Sequence, residues 1–126
     1  MTSAHITIYG IPNCDTVKKA RAWFTSSELA FDFHDLRKQG VPPHALARWI
    51  HAVGWSKLLN RSGTTWRNLA SAAQAAVLDE ESACRLMIDQ PTVIKRPIVE
   101  LSGACPTLIT VGFVPEQWLS WCEDLR

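Results

Sequence analysis

Residues 5–24, HITIYGIPNCDTVKKARAWF, decide the fold. Ile6 and Ile8 alternate with Thr7 and Tyr9 as in a short buried strand. Gly10 to Asn13 supplies turn residues, and Val17, Ala20 and Phe24 then recur at helical spacing. Cys14 therefore sits where a strand hands over to a helix. The first N–H groups of a helix lack intrahelical partners, and the helix dipole places partial positive charge there. A thiol in that position is stabilised as thiolate by up to ~2 kcal/mol. Lys18, one turn further on, adds to this effect and Asp15 opposes it. Taken alone, a cysteine at such a junction is more often a small packed residue, and the rest of the chain has to decide between the two readings.

Outward from this stretch, the first helix ends near Ser27. FDFHDL, residues 31–36, puts Phe31 and Phe33 on one side of a second strand, so strand, helix and strand form a β-α-β unit with parallel strands. Arg37 to Val41 breaks the pattern. Pro42 and Pro43 suit a helix start, and Leu46, Trp49, Ile50 and Val53 form an amphipathic stripe that Gly54 stops. Trp55 to Leu59 reads as a short helical turn, Asn60 to Thr64 as a polar loop, and Thr65 as the cap of another short helix. Ala70 to Val77 reads as helical. Asp79 to Ile88 reads as a helix with acids at its start, ending before Pro91. Ile98–Leu101 and Thr107–Val111 read as an antiparallel hairpin, and Pro115–Leu125 as a closing helix with Trp118, Cys122 and Leu125 inward. The expected architecture is one α/β domain over residues 1–126, with a helical insertion at about 37–90 between a β-α-β half and a β-β-α half.

The chain has 126 residues, 47% of them apolar, enough for one core and too few for two ordinary domains. A formal net charge of +1, without a long basic run, argues against nucleic acid as a partner. Neither a membrane-length apolar run nor a secretion leader is evident, which predicts a cytoplasmic protein with no membrane partner. The four cysteines, at 14, 84, 105 and 122, are widely separated and form neither CxxC nor a zinc-ligand spacing. No metal site and no bound cofactor are expected, and the cysteines read as free thiols.

The strand leading into PNCDTVKKARAWF, the later IKRPIV at residues 94–99, and LLNRSGTTWR at residues 58–67 together resemble the arsenate reductase/Spx family, in particular its YffB-type branch. The likeness runs from His5 to about Phe113. It implies a thioredoxin-like fold, a mixed four-stranded sheet carrying a helical insertion, with a reactive cysteine at Cys14. Pro97 matches a proline that is cis in thioredoxin-like proteins and shapes the substrate groove. Arg96, beside it, is expected to present its backbone to a peptide-like thiol and its guanidinium to a carboxylate or oxyanion.

The resemblance also sets a specificity question. Arsenate reductases hold their oxyanion with three arginines. Arg96 matches one, and either Arg61 or Arg67 matches a second. At the third place, near the end of the fourth strand, stands Val111 or Gly112, which removes a charge-assisted contact of roughly 1.5–3 kcal/mol. Val17 stands where dithiol relatives carry a second cysteine, so resolution must come from outside. Cys105 is a poor candidate, because the hairpin turn lies roughly 20 Å from Cys14. Cys84 and Cys122 read as packed helix residues. The expectation is a glutathione-dependent monothiol reductase acting on an oxidised thiol or oxyanion. Cys14 and Arg96 are its catalytic residues, and Asn13, Lys18, Arg61, Arg67 and Pro97 bind substrate. Glutathione is the expected co-substrate, with a protein thiol as the other possible reductant. The rival readings are an arsenate reductase and a Spx-like regulator that binds RNA polymerase. Among the tryptophans, Trp23, Trp49, Trp118 and Trp121 read as packing, and Trp66 as the exception.

Overall fold

The computed structural model describes residues 4–103 and 107–125, the last four by backbone alone. The chain divides into two compact units, one of residues 1–35 with 96–126 and one of residues 36–95.

The first unit is a four-stranded mixed sheet in the order β2-β1-β3-β4. It comprises β1 (His5–Gly10), α1 (Asp15–Ser26), β2 (Asp32–Asp35), β3 (Ile98–Ser102), β4 (Leu108–Val111) and α8 (Pro115–Leu125). β1 runs parallel to β2, with Tyr9 opposite His34, and antiparallel to β3, with His5 opposite Ser102 and Tyr9 opposite Ile98. β3 and β4 pair antiparallel, with Ile98 opposite Val111. Period-two alternation puts Ile6 and Ile8 of β1 in one core with Val99 and Leu101 of β3, and Ala20, Phe24, Trp118 and Trp121 of the two helices join them. Phe24 and Trp118, both fully buried, lie 4.9 Å apart between ring centroids, and burial of each such side chain stabilises by about 2–3 kcal/mol. The buried indole N–H of Trp118 donates to Thr110 Oγ1 at 2.8 Å, which removes the cost of desolvating it.

One sequence expectation shifts here. The second strand is Asp32–Asp35, shorter than residues 31–36, because Leu36 leaves the sheet and begins a helix in which it is buried. Phe31 and Phe33 nevertheless both pack on the core, as their alternation requires.

The second unit contains α2 (Leu36–Gln39), α3 (Pro43–Val53), α4 (Trp55–Leu58), α5 (Thr64–Arg67), α6 (Ser71–Ala75), α7 (Glu80–Asp89) and a 3₁₀ turn at Pro91–Val93. Pro43 starts α3 where its missing N–H costs nothing, and Ala45, Leu46 and Trp49 bury one stripe. Gly54 ends the helix at φ 86°, a conformation suited to glycine. Asp79 caps α7 reciprocally. Its carboxylate accepts from the Ser82 N–H at 2.9 Å, and Ser82 Oγ accepts from the Asp79 N–H at 3.1 Å. These hydrogen bonds hold the Asp79 carboxyl below its ordinary value near 3.8. The unit closes where Leu59 bridges Ile94, flanked by Lys95 N–H to Leu58 C=O at 2.7 Å and Asn60 N–H to Val93 C=O at 2.8 Å.

Thr65 is not a helix cap. α5 begins one residue earlier with Gly63 at the N-cap, and the Thr65 hydroxyl is engaged at 2.7 Å with that of Thr92. The alanine-rich helix covers Ser71–Ala75 and not residues 70–77; its five residues include no buried one to hold a longer element.

Candidate active site

Cys14 is the N-cap residue of α1, with extended backbone at φ −130° and ψ 123°. Its carbonyl accepts the first helical bond, from Lys18 N–H at 2.9 Å, while its side chain makes no capping bond. The half-buried sulfur is therefore the side chain nearest to the unpaired N–H groups of the first turn. A serine, aspartate or asparagine here would fill them. A thiol leaves them open to stabilise negative charge on sulfur or on an incoming anion.

The strand register brings the next residues to the same place. Ile98 pairs with Tyr9, so Pro97 and Arg96 fall at the end of β1 from which the chain continues into Ile11–Cys14. The Arg96–Pro97 bond is cis, as the resemblance implied. Gly112 N–H donates to Pro97 C=O at 2.8 Å, which places the end of β4 there too. This end of the sheet thus gathers Asn13, Cys14, Arg96, Pro97 and Gly112. Pro97 is buried, Arg96 is half-buried and Asn13 is exposed. Gly112, at φ 87°, stands where the third arginine was sought, and its conformation disfavours any side chain.

Val17, three residues after Cys14, is fully buried. A Cβ built on Gly10 would come within 2.7 Å of Val17 Cγ2, so glycine at 10 and valine at 17 form one close contact. The sequence showed Gly10 only as a turn residue. A signal was present in a glycine closing a strand with a β-branched residue in the first turn of the following helix.

Lys18 is exposed and lines a groove of about 440 Å³ with Arg21, Ala22, Thr25, Ser26 and Phe31. Arg21 went unremarked in the sequence although Cys14, Lys18 and Arg21 are spaced by four and three, which places them on one helix face. Its guanidinium lies 4.4 Å from the centroid of the Phe33 ring.

Arg61 and Arg67 belong to the helical unit, and both are exposed. Arg61 lies 5.9 Å from the Trp55 ring and 5.7 Å from the Trp66 ring, with Nη1 3.5 Å from Ser56 Oγ. Trp66 thus has a polar neighbour, whereas Trp49, Trp118 and Trp121 are core residues and Trp23 packs against the core.

Cys84 is half-buried and free, and lines a cavity of about 630 Å³ between Leu46 and Ile50 of α3 and Ile88 of α7. Burial first, and the Glu80 carboxylate second, push its thiol pKa up. Cys105 and the side chain of Cys122 lie outside the described residues. Among the described residues, no cluster of three His, Cys, Asp or Glu is placed to hold a metal, and no helix is long and apolar enough to cross a membrane.

A thioredoxin-like sheet with a cysteine at the first helix N-cap and a cis proline at the same end of the sheet defines the class. Residues 9–121 match the ArsC family. A solved structure called a YffB protein is 44% identical and superposes with a TM-score of 0.82 over 91% of this chain and 96% of that one. An arsenate reductase (ArsC) related protein from Brucella melitensis is 42% identical, with a TM-score of 0.68 over 93% of each chain. A global transcriptional regulator Spx of Streptococcus agalactiae is 25% identical over 75% of this chain and 69% of its own length. The chain belongs to the ArsC family, on its YffB-like side, a family of arsenate reductase-related thiol proteins and Spx regulators.

Proposed function

We propose that this protein is a glutathione-dependent monothiol reductase whose nucleophile is Cys14. The observation that carries the reading is the Cys14–Val17 pair. A half-buried thiol at an uncapped helix start is followed, where a second thiol would stand, by a valine packed on Gly10. Such a site performs attack but not internal resolution.

In the proposed cycle the Cys14 thiolate attacks the glutathionyl sulfur of a mixed disulfide. The old S–S bond breaks, the substrate leaves as thiolate and takes a proton from water, and Cys14 holds glutathione. A second glutathione thiolate then attacks that disulfide, releasing glutathione disulfide and the Cys14 thiolate. The Arg96 guanidinium orients a carboxylate of glutathione, and the Arg96–Pro97 backbone runs alongside its main chain. Asn13 lines the approach, and Lys18 supports the anion from one helical turn away.

The reading is tested with the mixed disulfide of glutathione and 2-mercaptoethanol. Wild-type protein should form a glutathione adduct on Cys14, visible by mass, and turn over with added glutathione, while Cys14→Ser does neither. Absence of adduct from wild-type protein at neutral pH would remove the reading. Gly112 at the end of β4 weighs against efficient arsenate reduction, since no guanidinium stands there. The likeness to a Spx regulator supports the alternative of an RNA polymerase-binding regulator, for which co-purification with polymerase and an inert Cys14 are the expected outcomes.

A further inference from the structure

The groove along α1 is cationic, and the cycle above uses it no further than Lys18. We propose that it docks an acidic peptide segment of the protein that Cys14 deglutathionylates, with Arg21 as the anchor. This rests on the reductase reading and names its substrate class.

Charge comes first. The lining residues Lys18, Arg21, Ala22, Thr25, Ser26 and Phe31 include two cations and no acid. Asp32, next along from Phe31, faces His5 Nε2 at 2.8 Å, and Asp15 precedes the groove by one turn. Arg21 is half-buried and held against the Phe33 ring at 4.4 Å, so less side-chain freedom is lost when it grips a carboxylate. The hydroxyls of Thr25 and Ser26 offer further donors, and Ala22 and Phe31 give an apolar floor for a neighbouring side chain.

Length then separates a peptide from glutathione. Along the helix axis Lys18 stands about 6 Å beyond Cys14, Arg21 about 10 Å and Ser26 about 18 Å. The carboxylates of glutathione lie within two residues of its sulfur, roughly 7 Å, which reaches Lys18 and stops short of Thr25 and Ser26. An extended chain advancing about 3.3 Å per residue brings a side chain three or four residues from its cysteine over Arg21. The far half of the groove thus calls for a polymer, and its charge calls for an acidic one.

The probe is a short peptide with one cysteine carrying glutathione and with glutamates three and four residues to one side of it. It is made in both directions and compared with glutamine versions. Wild-type protein should show a KM about tenfold lower for the glutamate peptide of one direction. That preference should vanish in Arg21→Glu and in Thr25→Glu, the latter an exposed helix position that leaves the Arg21–Phe33 contact intact. Both variants should keep wild-type turnover of the 2-mercaptoethanol–glutathione disulfide. Equal KM values for glutamate and glutamine peptides, or a preference that survives both substitutions, would overturn the proposal. If wild-type protein is inert toward every glutathionyl disulfide, the reductase reading falls. Fluorescence anisotropy with the labelled, reduced glutamate peptide then decides the groove. Saturable binding that Thr25→Glu abolishes upholds docking, and no binding overturns it.

Discussion

In the sheet unit each strand is placed by partners far along the chain: His5 faces Ser102, and Ile98 faces both Tyr9 and Val111. The helical unit is instead a run of mostly short helices with local caps and turns, tied together where Leu59 bridges Ile94. The difference bears on chemistry. Register fixes a backbone position because slipping by one residue turns every side chain to the wrong face, so groups at the strand ends are held firmly. Cys14, Arg96 and Pro97 have that support. Arg61, exposed between two four-residue helices, and Arg67, exposed at the end of the second, lie on no strand and have no such register.

Activity provides the largest expected contrast. Cys14→Ser should lower thiol-reductase turnover by about a thousandfold or more with the fold intact by circular dichroism. Arg61→Ala and Arg67→Ala, made separately, should leave kcat unchanged. A comparable fall in kcat from either arginine would break the contrast.

Stability should follow the packing. Phe24→Ala opens a cavity among Ile8, Trp118 and their neighbours and should cost about 3–5 kcal/mol in urea denaturation. Gly10→Ala should cost about 1–3 kcal/mol, because its new methyl meets a buried, branched Val17 that has little freedom to move. Pairing it with Val17→Ala should recover part of that loss. Gly63→Ala in the helical unit faces a similar separation, 2.8 Å, but to the end of the Asn60 side chain, which can swing away. Its cost should be smaller, and a larger one would show the loop to be as rigid as the sheet.

These glycines also mark how far the sequence could be read. β1, α1, α3 and α7 were legible because each is long enough to show its period and carries end signals, down to the acids at the start of α7. α2 and α5 span four residues each, too few for a helical period, so Leu36 read as strand and Thr65 as cap. At the site, a strand–turn–helix pattern located Cys14 without knowledge of the tertiary structure. Arg21 and the Gly10–Val17 contact were hidden, since both depend on what lies across from the helix.

Smaller effects test the helical unit. Hydrogen bonds depress the folded-state pKa of Asp79, so their stabilisation is fully present above the unfolded carboxyl pKa and is lost as pH falls through the folded value. The difference in thermal midpoint between wild type and Asp79→Ala should therefore be constant at neutral pH and shrink in acid, below about pH 4. The raised pKa of Cys84 predicts slow alkylation at neutral pH, and Glu80→Gln should speed it modestly by removing the second cause. No acceleration would leave burial as the whole cause.

On the proposed reading, the Val17–Gly10 contact also governs how the protein handles electrons. With valine at the third helical position, no second sulfur stands one helical turn from Cys14 along α1. In the proposed cycle each turnover is thus bound to the surrounding thiol pool, and the oxidised protein carries a guest. Cysteine is smaller than valine and relieves the close approach to Gly10, so Val17→Cys places a second sulfur one turn from the first without disturbing the strand beneath. On the proposed reading, a single side chain therefore separates a reductase that borrows its second sulfur from one that owns it.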